Sequence, residues 1–141
     1  MAHTNPPQTV IRDLLVSARH LAIVGASSST DRPSYQIARK LQSAGYRILP
    51  VNPNEREVLG ERAYRSLDEV PEPVDIVVVF RRPEYTPAIA EQAVKKGARA
   101  LWLQTGIAND EAARIASGLI VVMDNCIGVA HSLLGIPPKH P

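Results

Sequence analysis

Four consecutive apolar residues, Ile76-Val77-Val78-Val79, limit what this chain can fold into. A strand with one wet face alternates apolar and polar residues, whereas one that is apolar throughout has both faces covered. Four more short strand-like runs, at 21–24, 47–51, 99–103 and 119–123, join the 75–80 run and alternate with helical segments. This alternation predicts an α/β fold: a doubly wound parallel sheet of five strands in the order 3-2-1-4-5, with helices on both faces and right-handed crossovers. The 141 residues make one domain, 1–141, with a core drawn from Val, Ile, Leu and Ala, since only 4% of residues are aromatic.

The helices follow from punctuation. Pro33 opens a helix over 33–44, and a short one over 66–70 starts with Ser66 and Glu69 at capping-box spacing. Pro83 and Pro87 fit only near the start of a third helix, continued by 88–96 and ended by Gly97. Asn109 caps a fourth, which runs through Ala116. Val10, Ile11, Leu14 and Leu15 form an apolar stripe on an N-terminal helix over about 8–18, and the tail 136–141 is expected to fray.

In such a sheet ligands bind beyond the carboxyl ends of the strands. The first of these ends is the most informative. After the strand 21–24 come Gly25, Ala26, Ser27 and Ser28, then Arg32 and Pro33. A strand, a small polar loop and a helix start form an anion site, because the first helical N–H groups lack partners. Ser27 and Thr30 stand where a dinucleotide loop would carry glycines, so phosphate is expected to meet hydroxyls and the Arg32 guanidinium as well as backbone. The second strand ends in Asn52-Pro53 instead of the acid that reads a nicotinamide nucleotide's ribose. Phe80, Arg81 and Arg82 follow the third strand, and Gln104 to Gly106 follow the fourth. Six Lys/Arg stand against two Asp/Glu through residue 50, which suits an anionic ligand, while the formal net charge of +2 is too small to point to nucleic acid.

No catalytic set is evident. Asp124-Asn125-Cys126 and His131 invite a nucleophile–base reading, but Cys126 has neutral neighbours and His131 is badly spaced for one helical face, so no acyl transfer is expected of Cys126. No spacing resembles a metal site. One cysteine, no signal peptide and no membrane span predict a cytoplasmic protein.

Five motifs in order carry a resemblance: Ile23-Val24-Gly25-Ala26-Ser27, Arg32-Pro33-Ser34-Tyr35, Pro50-Val51-Asn52-Pro53, Phe80-Arg81-Arg82-Pro83-Glu84 and Trp102-Leu103-Gln104-Thr105-Gly106-Ile107. Over about 10–131 the chain resembles the small stand-alone CoA-binding proteins. It is similar there to the CoA-binding domain of the succinyl-CoA synthetase alpha subunit and of ADP-forming acyl-CoA synthetases. The resemblance implies a Rossmann-like fold holding coenzyme A, or an acyl-CoA, across the strand ends. By it, Gly25, Ala26, Ser27, Ser28, Arg32 and Pro33 grip phosphates, and Asn52 and Pro53 border the adenosine. Phe80 and Arg81 flank nucleotide and pantetheine, and Gln104 to Gly106 lie along the arm. The larger synthetases carry their phosphorylated histidine in a further domain, so a binding protein is expected here in preference to a ligase. Asn125 and Ala130 stand where the family pattern has a basic residue and a glutamate. The rival expectation is an NAD(P)-dependent oxidoreductase or redox-sensing module. A third is an acyl-CoA sensor acting on a protein partner, and the oligomeric state is left open.

Overall fold

The structure, a computed structural model, describes residues 3–139. Strands β1 (His20–Val24), β2 (Arg47–Val51), β5 (Ile76–Val79), β6 (Ala100–Leu103) and β7 (Ile120–Val122) form one sheet, every pair parallel. Helices α1 (Gln8–Ser17), α2 (Pro33–Ser43) and α5 (Ile127–Leu133) pack on one face, and α3 (Thr86–Lys96) and α4 (Asp110–Ile115) on the other. Alternate residues of each strand divide between these faces, as the period of two requires. Leu21, Ile23, Ile76, Val78 and Trp102 join the first core, while Ala22, Val24, Val77, Val79 and Leu101 join the second. The fold is α/β and Rossmann-like. Among the described residues, no helix is long and apolar enough to cross a membrane.

The strand order corrects the sequence expectation of 3-2-1-4-5. The sheet runs β2-β1-β5-β6-β7, so the third long strand lies beside the first and the second sits at the edge. Pro50 supplies the reason. On β2 the N–H groups of odd residues serve β1, as in Arg47 to the Arg19 carbonyl, so position 50 faces outward. A proline there would break a ladder bond if another strand lay beyond β2, and on an edge it breaks none. The uniformly apolar β5 takes the centre instead. The reversal of winding therefore falls between β1 and β5.

The outer edge of β2 is partly covered by a turn of chain that the sequence did not announce. A small hairpin, β3 (Glu57–Val58) with β4 (Glu61–Arg62), leads to Tyr64, whose N–H reaches the Pro50 carbonyl at 2.9 Å. Such cover protects an edge that would otherwise recruit another strand. The expected capping box at Ser66 does not form: residues Leu67–Glu69 make only a 3-10 turn, and Glu69 accepts from the Arg65 N–H. Asn109 does cap α4, accepting the Ala112 N–H at 2.9 Å.

The tail expected to fray is tied down as far as Lys139. Ile136 enters the core, and the Lys139 N–H reaches the Ala44 carbonyl at 2.7 Å. That approach needs Gly45, where any Cβ would run into the Lys139 backbone. Residues 140 and 141 of the expected tail lie outside the described residues.

Helix α5, absent from the sequence expectation, buries His131 against Tyr46, ring centroids 5.7 Å apart. Burial pushes the Tyr46 hydroxyl up to about 12 and, with the positive charges of Lys40 and Lys139, pulls His131 below 6.5. Nε2 of His131 is buried without a hydrogen-bond partner among the described residues. Because folding holds His131 neutral, the unfolded chain binds the proton first and stability falls as pH drops below 6.5. Urea midpoints at about pH 7.5 and about pH 5 are expected to differ in that direction, and the difference to shrink in His131→Leu. An undiminished slope in His131→Leu would assign the effect to other groups.

Candidate functional site

A cleft of about 620 Å³ opens at the carboxyl edge of the sheet, over the β1/β5 switch point. This is where a doubly wound sheet of order 2-1-3-4-5 leaves room for a ligand, and the volume lies within the usual range for small-molecule sites. Gly25, Ser27 and Arg32 from the first loop and Pro33 at the start of α2 line it, with Asn52, Phe80 and Gln104 just past the ends of β2, β5 and β6.

Each lining residue is held by its element. Gly25 ends β1 with φ +90°, its N–H on the Val51 carbonyl at 2.9 Å, and a Cβ there would sit 2.9 Å from the Phe80 carbonyl oxygen. Only glycine takes this backbone without strain while lying so close to the next strand. Ser27 Oγ accepts the Ser29 N–H at 3.0 Å, which curls the loop. Pro33 begins α2, and the exposed Arg32 stands just before it, in no ion pair among the described residues. Asn52 staples the β2 tip to the loop: its Nδ2 donates to the Ala26 carbonyl at 2.8 Å, and its Oδ1 accepts the Asn54 N–H at 2.9 Å.

Five expected residues are not among those that line the cleft itself. Ala26 is buried behind the loop, and Ser28 is exposed and bonded to Glu55. Pro53 is exposed. Arg81 lies over the Tyr85 ring at 4.6 Å, and the Gly106 N–H is held by Asp124 Oδ1 at 2.6 Å.

Thr105 lines the cleft within the expected 104–106 stretch, Cys126 lines it although it was weighed only as a nucleophile, and Ser34, Ile37, Glu55 and Ile107 were not expected to bind. Cys126 reaches the cleft because β6 grips the chain on either side of it. The buried Trp102 indole N–H bonds the Asn125 carbonyl at 2.7 Å, and Gln104 Oε1 accepts the Ile127 N–H at 3.0 Å. Cys126 thus stands immediately before α5, while His131 is turned into the core. Gln104 has a structural duty alongside its place in the cleft. The apolar spacing of Ile127, Ala130 and Leu134 was the available signal for α5.

Residues 19–132 match the CoA binding domain family. The chain belongs to that family. It is 42% identical over 131 residues to the uncharacterized protein YneT of Bacillus subtilis (strain 168), covering 92% of this chain and 97% of that one. It superimposes with TM-score 0.89 and 35% identity on a hypothetical protein from Pyrococcus horikoshii OT3, covering 95% and 99% of the two chains. The alpha subunit of the ADP-forming acetate–CoA ligase II of Pyrococcus furiosus is 25% identical over 133 residues. This family chain spans only 29% of that subunit's length.

Proposed function

We propose that this protein binds coenzyme A, free or acylated, non-covalently in the cleft at the strand ends. The observation that carries the reading is the convergence, on one cleft, of a glycine-hinged polar loop, a helix start and the tips of β2, β5 and β6. Phosphates would meet the loop 25–33, with the Arg32 guanidinium supplying charge-assisted bonds. Adenosine would lie by Asn52 and Pro53 with Phe80 and Arg81 at its flank, and the pantetheine arm would run past Gln104 and Gly106 towards Cys126. Binding needs no reactive residue, and the reading is of a binding module in the cytoplasm, with its physiological role open between carriage and sensing on behalf of a protein partner.

Native mass spectrometry of freshly purified protein tests the ligand: a retained mass equal to coenzyme A or an acyl-CoA is expected, and a retained nicotinamide nucleotide would overturn the reading. A second test addresses the loop. Arg32→Ala is expected to weaken coenzyme A binding by about 1.5–3 kcal/mol, the range for a hydrogen bond to a charged group. The loss should shrink at high salt, since Arg32 is exposed. Unchanged affinity in a folded Arg32→Ala protein would return the residue to the bulk surface.

A further inference from the structure

The loop assigned to phosphate already holds an anion. Glu55 lies on the cleft wall, and both of its carboxylate oxygens are taken by one residue of the loop: Oε2 accepts the Ser28 N–H at 2.9 Å and Oε1 accepts the Ser28 hydroxyl at 2.8 Å. A backbone N–H and a hydroxyl closing together on two oxygens of one group is the arrangement such a loop offers a phosphate. The carboxylate is held in place from behind. Its own N–H bonds the Asn52 carbonyl at 3.3 Å, and Asn52 is stapled to the Ala26 carbonyl, so turn and loop form one unit. Arg32 lines the same cleft yet makes no ion pair with Glu55 among the described residues, which leaves the guanidinium open to an incoming anion.

We propose that Glu55 is a built-in competitor for the phosphate: its carboxylate occupies Ser28 in the empty protein and must leave before a phosphate docks there. The inference rests on the coenzyme A reading and deepens it. A ligand pays for entry twice, by replacing two charge-assisted bonds and by approaching a fixed negative charge. Phosphate-bearing ligands make up the first loss with their own oxygens. Phosphate-free fragments of the same cofactor, adenosine and pantetheine, do not dock at Ser28, so Glu55 lowers the affinity for the phosphorylated molecule and leaves theirs unchanged.

Calorimetric titration of wild-type protein, Glu55→Gln and Glu55→Ala with coenzyme A tests this, with circular dichroism to establish that each is folded. Glu55→Ala is expected to bind about tenfold tighter than wild type, the scale of one hydrogen bond to a charged group. Glu55→Gln, which keeps an acceptor but loses the charge, should fall between the two. Equal or weaker binding by both variants, with wild type still binding, overturns the competitor role and leaves the coenzyme A reading standing. No binding by any of the three overturns both.

Discussion

Replacing Gly25 with valine is expected to weaken coenzyme A binding at least about a hundredfold, or about 2.7 kcal/mol. Two costs combine. At φ +90° an L-residue in this left-handed backbone loses roughly 1–2 kcal/mol, and a β-branched one more. The added Cβ would also stand 2.9 Å from the Phe80 carbonyl oxygen and 3.2 Å from the Arg81 Cδ. The Phe80 backbone cannot give way easily, because its N–H is bonded to the Val24 carbonyl at 2.8 Å beside the central strand β5. The loop must move instead, carrying Ser27 and the start of α2 away from the ligand. Titration with coenzyme A checks this, with Gly25→Ala as the milder variant should valine prevent folding. Wild-type affinity in a folded Gly25→Val protein would remove the loop from the site.

Trp102→Ala is expected to cost about 3–5 kcal/mol of stability, a large share of what a domain of this size possesses. Trp102 is fully buried on β6 among residues from both α1 and α5, so little can collapse into the space left behind. The substitution also strips the Asn125 carbonyl of its indole partner, one of the two grips that hold Cys126 at the cleft. Trp102→Phe narrows the contributions, keeping a six-membered ring in the core while losing the indole N–H and the rest of the five-membered ring. Urea unfolding should place Trp102→Phe between wild type and alanine. A loss below about 1 kcal/mol for alanine would mean that the core repacks around the vacancy.

The difference between what could and could not be read from the sequence follows the range of the interactions. Strand existence was legible because apolar runs such as Ile76 to Val79 report burial residue by residue. The Asn109 cap was legible because its partner, the Ala112 N–H, lies three residues away. Strand order is set by packing across the whole chain, and its one local trace, the missing N–H of Pro50, was passed over. Helix α5 is short and contains Gly128, which weakens its periodic signal. Among the cleft residues, those at strand tips were anticipated from topology alone. Glu55 was not, because its bond to Ser28 joins two loops 27 positions apart with no spacing rule between them. Cys126 was weighed as a nucleophile, but its place on the cleft was not legible for the same reason, since it depends on Trp102 in β6 and on Gln104 just beyond that strand.

The most direct measurement is a calorimetric titration of the wild-type protein with coenzyme A, NAD and NADP under one set of conditions. Binding in the cleft at the β1/β5 switch point predicts saturable, stoichiometric binding of coenzyme A and much weaker binding of both nicotinamide nucleotides. Tight NAD or NADP binding without coenzyme A binding would contradict it.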